Sequence, residues 1–255
     1  MKRRRVALRM ALIAPAVIAS GLASAVMSSA DAIAGPRGVV ELFTSQGCSS
    51  CPPADKLAGE LAHDPSLIVM SLPIDYWDYL GWKDTLALPG HANRQRAYSK
   101  VRGDREVYTP QVVVNGIVHT LGSDKSAIET AVAQTGKQDG TLSLPLSMSV
   151  TSDSIAVTVP AGKGTPEQAE IWLCPITKDI TVTIGKGENT GHTITYHNVV
   201  RRWVKLGDWN GDARSFTVPV HDMTAVGADA VAVVVQAGTR ETPGAMLGAS
   251  LANLK

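Results

Sequence analysis

Cysteine and phenylalanine are scarce in this sequence, whose 255 residues include three cysteines and two phenylalanines. One Cys-x-x-Cys pair is present. No second such pair and no His-x-x-x-His pair follow at a suitable spacing, so the four ligands of a structural zinc site are not supplied. Gly-x-Ser-x-Gly and Walker-type glycine motifs are missing as well, which argues against serine hydrolases and P-loop nucleotide-binding proteins.

Charge is limited and nearly balanced. Asp, Glu, Lys and Arg make up 18% of the chain, and the formal net charge is +1. Five of the basic residues lie in the first 30 positions, without which the net charge is −4. Because nucleic-acid binding needs a concentrated basic surface, we expect no nucleic-acid partner.

The amino terminus has the layout of a secretory signal. A basic run at Lys2 to Arg5 precedes an apolar span from Met10 to Met27 that carries no charge. This pattern predicts a signal peptide over residues 1–30, with cleavage after Ala30 or Ala32 and no stable membrane insertion afterwards. The alternative is an uncleaved anchor, since the span is long enough for a bilayer. Either reading places the chain outside the cytoplasm, in the periplasm or secreted.

The motif Cys48-Ser49-Ser50-Cys51 follows the apolar run 39–43 and precedes a stretch with helical periodicity, 54–63. A Cys-x-x-Cys between a strand and a helix is where a thioredoxin-like fold keeps a dithiol. In that interpretation Cys48 is the exposed nucleophile and Cys51 resolves the mixed disulfide. Pro52 and Pro53 predict that the regular helix begins only there. The third cysteine, Cys174, alternates like a strand residue and is expected to be a buried, inert thiol.

The element order predicts two domains. Strand, helix, strand, helix, hairpin and helix over residues 37–135 predict an α/β thioredoxin-like domain with a mixed sheet and flanking helices. Residues 136–141 are predicted to form a polar linker. About seven strand-like runs over 142–255 then predict an all-β, sandwich-like domain.

Further candidate site residues follow from this fold. Pro110 is expected to begin the third strand beside the dithiol through a cis bond to Thr109, and the alternative is a trans proline that merely starts the strand. Glu41 is a candidate proton-relaying acid, or else a residue satisfied by a salt bridge or placed at the strand edge, and Asp75 is its rival. Aromatic residues after the second strand either line a substrate groove or cover the sheet; they include Tyr76, Trp77 and Trp82. Arg94 and Arg96 are expected on a solvated helix face, with pairing to Asp75 or Asp78 as the lesser option.

Four segments carry a resemblance to a known family. The wording ELFTSQGCSSCPPAD, LPIDYWDYLGWKD, RQRAY and YTPQVVVNG resembles the exported family catalogued as domain of unknown function 1223. The resemblance implies a thioredoxin-like domain, a following sandwich and an extracytoplasmic location.

The function predicted from these features is thiol–disulfide exchange through Cys48 and Cys51, acting on an extracytoplasmic protein or a small thiol without a cofactor. Two alternatives stay open. One is a binding module in which the Cys48–Cys51 disulfide is structural. The other is a carrier of copper(I), an ion that two soft thiolates can bind.

Overall fold

The computed structural model describes residues 35–162 and 168–254. The predicted signal peptide lies outside these residues. Among the described residues, no helix combines the length and the apolar character needed to cross a bilayer. The strands are β1 Gly38–Thr44, β2 Leu67–Pro73, β3 Gln111–Val114, β4 Val118–Leu121, β5 Ser147–Val150, β6 Ser154–Val159, β7 Ala169–Thr183, β8 Thr193–Val200, β9 Val204–Trp209, β10 Arg214–Pro219, β11 Ala230–Thr239 and β12 Thr242–Asn253. The helices are α1 Pro52–Ala62, α2 Pro89–Arg102, α3 Lys125–Thr135 and the short α4 His221–Thr224.

The first half has the predicted order of elements. Strands β1 and β2 are parallel, because α1 carries the chain from one to the next across the sheet. Strands β3 and β4 form an antiparallel hairpin whose β-turn, closed by the Ile117 N–H on the Val114 carbonyl, has positive φ at its two central residues, Asn115 and Gly116. The Asp124 carboxylate accepts a hydrogen bond from the Ala127 N–H and caps α3. The Thr109–Pro110 bond is cis, as predicted.

Helices cover both faces of this half of the sheet. Alternate residues of β1 point to opposite sides. Val40 and Leu42 pack with α1 and α3, whereas Val39 and Phe43 pack with Tyr98 of α2. The two faces of β1 therefore pack into two separate cores.

The second half joins the same sheet. The large sheet runs β12-β11-β7-β8-β2-β1-β3-β4, with β9 also paired to β7. Strand β8 lies parallel to β2, where Ser71 pairs with Val199 and the Ser71 hydroxyl donates to the His197 carbonyl at 2.7 Å. The structure thus departs from the predicted arrangement of two domains and a linker at 136–141, because both halves belong to one compact unit. The physical reason is that β2, which is buried along its whole length, would otherwise present an uncovered edge.

A smaller sheet, β10-β6-β5, accounts for the sandwich-like character of the second half. Its inward residues Ile155, Val157 and Val159 pack against Leu173 and Val233 of the large sheet. This core is separate from the one that contains α1. The architecture is therefore a mixed α/β sheet with an additional β-rich layer.

Candidate functional site

The Cys-x-x-Cys motif lies in the turn between β1 and α1. Cys48 and Cys51 are joined by a disulfide. Cys51 is the residue before the first turn of α1, and its carbonyl accepts the N–H groups of Ala54 and Asp55 at 2.8 and 3.0 Å. Because Pro52 and Pro53 carry no N–H, the helix offers few free donors to a thiolate. The predicted helix start at the prolines is confirmed.

The sulfur atoms are shielded from solvent. Cys48 is 3% exposed and Cys51 is fully buried, whereas Ser49 and Ser50 between them are exposed. The expected exposed nucleophile is therefore not what the structure shows. Cys174 is also buried, and burial raises the pKa of its thiol well above the ordinary value, so the prediction of a buried thiol is confirmed.

The β7–β8 loop, residues 184–192, covers the motif, and we refer to it as the cover loop. The Asn189 amide group donates to the carbonyls of Gln46 and Cys48 at 3.0 and 2.8 Å. The Ser49 N–H donates to the Glu188 carboxylate at 3.3 Å. Asn189 itself is 2% exposed. These bonds connect a loop of the second half directly to the disulfide turn.

Trp77 joins the motif to the Thr109–Pro110 segment. Its indole N–H donates to the Thr109 hydroxyl at 2.8 Å. A Cβ added to Gly47, next to Cys48, would lie 2.9 Å from the Trp77 Cβ, so the two backbones pack closely. A Cβ added to Gly122 would contact both Pro110 and Ala54, so Pro110 lies close to the first turn of α1. The structure thus brings Thr109 and Trp77 to the cysteine turn and Pro110 to the adjacent start of α1.

The other aromatic candidates divide between two places. The Trp82 indole N–H donates to the Gln46 side-chain carbonyl at 2.7 Å, and the Trp82 ring packs on Gly185 of the cover loop. Tyr76 lies toward α2, where its hydroxyl donates to the Gln95 side chain at 3.2 Å. Asp75 is half-buried. No hydrogen bond within the described part of the chain links its carboxylate to the cysteine turn.

Glu41 lies on the face of β1 that packs with α2, opposite α1. The Arg94 Nε donates to its carboxylate at 2.6 Å, and the Tyr98 hydroxyl donates to its second oxygen. Glu41 is thus satisfied by a salt bridge, which was the predicted alternative to a proton-relaying role. Arg94 is 7% exposed, so its predicted place on a solvated face is wrong, and its partner is Glu41 rather than Asp75 or Asp78. Arg96 is exposed as predicted.

A buried acidic group that the sequence reasoning missed lies beside the motif. Asp55 is 1% exposed, and one of its oxygens accepts the Thr44 hydroxyl at 2.7 Å. The other oxygen has no hydrogen-bond partner among the described residues. Burial raises the pKa of Asp55 to about 8, the Thr44 hydrogen bond opposes this rise, and the Asp84 carboxyl adds to it. Asp55 can therefore hold a proton at neutral pH.

Asp84 and Tyr196 complete this cluster. Asp84 accepts the N–H groups of Gln46, Leu86 and Ala87 at 2.8 to 3.0 Å, yet burial still raises its pKa. The Tyr196 hydroxyl is buried without a partner in the described structure. Burial, and then the charges of Asp55 and Asp84, raise the pKa of Tyr196. Burial thus raises the pKa of all three groups and so shifts each toward its protonated form.

No group of three or more His, Cys, Asp or Glu side chains suited to holding a metal occurs in residues 35–162 or 168–254.

The fold and the site define a mixed α/β protein with a covered Cys-x-x-Cys disulfide where a strand passes into a helix. The chain belongs to the family described as protein of unknown function DUF1223, whose family model matches residues 39–236. The sequence-based identification of this family is confirmed.

Two solved structures are similar to this chain. A crystal structure of an Agrobacterium tumefaciens protein, a structural genomics target, is 31% identical, with a TM-score of 0.76 over 86% of this chain and 95% of that chain. HBP35 of Porphyromonas gingivalis is 14% identical, with a TM-score of 0.57 over 86% of this chain and 76% of that chain, which shows likeness of fold alone. Proteins with curated functions gave no match.

Proposed function

We propose that this protein carries out thiol–disulfide exchange through Cys48 and Cys51. The observation that carries the proposal is the position of the disulfide at the start of α1, one helical turn from Asp55, a buried carboxyl with a pKa of about 8. Structural disulfides need no such neighbour, whereas exchange releases thiolates that must gain or lose protons.

In the oxidising direction, a partner thiolate attacks Cys48 Sγ and the Cys48–Cys51 bond breaks. Cys51 leaves as a thiolate and takes up a proton, for which Asp55 is the nearest buried donor along α1. A second partner thiolate then displaces Cys48, so the partner gains a disulfide and both cysteines are reduced. The same steps run backwards when the partner is reduced.

The proposal also includes the fold around the disulfide, the partner and the location of the protein. Residues 37–135 are a thioredoxin-like domain, supported by the parallel β1–α1–β2 unit, the β3–β4 hairpin and the position of Pro110 beside α1. The partner is an extracytoplasmic protein or small thiol, and the protein is periplasmic or secreted, supported by the signal-like residues 1–30. Thr109, Trp77 and Trp82 surround the cysteine turn and position the partner there.

The first test is the reduction potential of the Cys48–Cys51 pair, measured by equilibration of the purified protein in glutathione and dithiothreitol buffers with thiol trapping and metal excluded. A value between about −120 and −270 mV is expected, the range of catalytic dithiols. A value below about −300 mV is typical of structural disulfides and would contradict the proposal.

The second test traps the mixed disulfide. Cys51→Ser should accumulate a covalent adduct with a disulfide-containing partner peptide, because the resolving thiol is gone. Cys48→Ser is the matched control and should accumulate none. Equal trapping by both variants, or by neither, would contradict the assigned roles. Cys174 is fully buried, so it contributes no competing thiol.

The burial of Cys48 favours a second candidate function, a binding module whose disulfide is structural. In that case the cover loop and Trp77 belong to the binding surface, and reduction of the disulfide lowers stability without producing exchange activity. The third reading, a copper(I) carrier, predicts near-stoichiometric copper in the reduced protein and its loss in both cysteine variants.

A further inference from the structure

Gln46, two positions before Cys48, is completely buried and joins the cysteine turn to two other parts of the chain. Its carbonyl accepts the Asn189 side-chain amide of the cover loop at 3.0 Å. Its side-chain carbonyl accepts the Trp82 indole N–H at 2.7 Å, and its backbone N–H donates to the Asp84 carboxylate at 2.8 Å. Hydrogen bonds between buried groups are costly to break without replacement, so Gln46 ties the cover loop and the chain around Trp82 to one point.

The chain around Trp82 is itself tied together, and we refer to residues 78–87 as the tryptophan segment. Asp84 accepts the N–H groups of Leu86 and Ala87 at 2.8 and 3.0 Å. Its own N–H donates to the Asp78 carboxylate at 3.0 Å. These bonds close the segment on itself, so it can move as one piece.

The Trp82 ring also packs directly on the cover loop. A Cβ added to Gly185 would lie 2.8 Å from the ring, and a Cβ added to Gly187 would lie 3.7 Å from the Trp82 Cβ. The ring therefore rests on the backbone of the loop, where any larger residue at position 185 would collide with it. Opening of the cover loop thus affects Trp82 twice, through this contact and through the shared hydrogen-bond partner Gln46.

We propose that Gln46 is a positioning residue of the exchange site that latches the cover loop and the tryptophan segment into a single closure over the cysteine turn. This inference rests on the proposed exchange function, in which the partner must reach Cys48, a residue that is 3% exposed. When the closure opens, the Asn189–Gln46 and Trp82–Gln46 hydrogen bonds break together. The Trp82 ring then leaves the loop and is free to contact the partner.

Hydrogen exchange followed by NMR tests whether the two parts open together. Asn189→Ala removes the hydrogen bond between loop and Gln46 and leaves Trp82 in place. We expect exchange of the Trp82 indole proton to become about tenfold faster, because one opening event exposes both parts. Lys186→Ala, an exposed substitution in the same loop, is the matched control and should leave this rate unchanged. An unchanged rate in Asn189→Ala would show that the two parts open separately and would overturn the proposal.

Substitution of the latch itself is the second test. Gln46→Met keeps the side-chain volume and the backbone hydrogen bonds, but it removes the side-chain bonds to Trp82 and to the Thr85 hydroxyl. Reduction of the disulfide by excess dithiothreitol should become at least about tenfold faster. Gln134→Met, exposed on α3, should be reduced at the rate of the unsubstituted protein.

The same hydrogen bond can be removed from its other end, in case Gln46→Met does not fold. Trp82→Phe keeps an aromatic ring beside Gly185 and loses the indole N–H, so we expect a similar increase in the rate of reduction. Trp203→Phe is the matched control, because the Trp203 indole N–H has no partner in the described part of the chain. A rate for Trp82→Phe no higher than that of Trp203→Phe would overturn the proposal.

These experiments are separate from the test of exchange activity. Excess dithiothreitol reduces any disulfide that it can reach, so the rates report the closure whatever the reduction potential of the cysteine pair is. Coupled opening with a potential typical of structural disulfides would contradict the exchange function and support the closure. Uncoupled opening with a potential in the catalytic range would support the exchange function and overturn the closure.

Discussion

In the proposed exchange reaction, single residues near the motif determine which protons are available to the thiolates. Asp55 lies on α1 one helical turn before Gly59, whose lack of a side chain allows His197 of β8 to pack closely on the helix. The Asp55 carboxyl itself is buried. Burial of an ionised carboxylate costs free energy unless the carboxylate is paired. The Asp55 carboxyl accepts one hydrogen bond, from the Thr44 hydroxyl.

Asp55 should make the stability of the protein depend on pH. The native carboxyl keeps its proton up to a pKa of about 8, whereas the unfolded one loses it near 3.9. Between these values the native state binds more protons, so the free energy of unfolding should fall as the pH rises, by up to about 1.4 kcal/mol per pH unit. Asp55→Asn should remove most of this slope between about pH 5 and pH 7.

Urea unfolding at several pH values measures this effect. Asp139→Asn, which changes an exposed carboxylate away from the site, should keep the slope of the unsubstituted protein. His91, whose pKa burial lowers to about 4, acts in the opposite sense below its unfolded pKa, but it does so equally in all three proteins. An unchanged slope in Asp55→Asn would show that Asp55 is already ionised in the native state.

The residue scale is also where sequence reasoning had the least to work with. Glu41 is a candidate acid from its place on the strand before the motif, but alternation along β1 puts its side chain on the face opposite α1. Asp55 lies on α1 itself, and the sequence alone does not show that its carboxyl is buried. The partner of Arg94, 53 positions away, could not be inferred without the fold.

At the scale of elements, the hydrogen bonds of the cover loop to the cysteine turn lead us to expect that this loop limits access to the disulfide. Asn189→Ala removes two buried hydrogen bonds, those to the Gln46 and Cys48 carbonyls. We expect the free energy of opening the loop to fall by about 1–3 kcal/mol, and reduction of the disulfide by dithiothreitol to become about tenfold faster. Stopped-flow measurement of thiol release gives the rate directly.

A substitution elsewhere in the same loop supplies the comparison. Lys186→Ala removes an exposed side chain of the cover loop and should leave the rate of reduction unchanged. If Asn189→Ala is reduced no faster than Lys186→Ala, then the reductant reaches Cys48 by a route that does not require this loop to move.

Elements differed in how far they could be predicted. The strands and helices of residues 38–135 were predicted closely, because their apolar periodicity and the turn at Asn115-Gly116 are strong local signals. Strand β12 gives little β signal in the sequence, because it is rich in glycine and alanine. The cover loop had no local signal at all, since Asn189 acts on residues more than 140 positions away.

At the scale of the whole molecule, the shared sheet joins two cores that the sequence predicts as separate domains. Strand β8 completes the edge of β2, packs on α1 and leads from the cover loop, so the cysteine site is built by both halves. Neither half has its complete set of sheet neighbours alone. A chain built this way should unfold in one cooperative step, unlike a protein of two linked domains.

Hydrogen exchange during urea unfolding tests this cooperativity with a substitution in only one core. Leu173→Ala opens a cavity in the core between the two sheets, where Leu173 is fully buried, and should cost about 2–5 kcal/mol. We expect β1 and β2 to lose protection at the same lowered urea concentration as β7 and β11, because one transition governs both. Leu121→Ala, half-exposed on β4, should shift neither region. If only β7 and β11 lose protection earlier, the halves unfold independently, and the cover loop can then leave the disulfide while the first half stays folded.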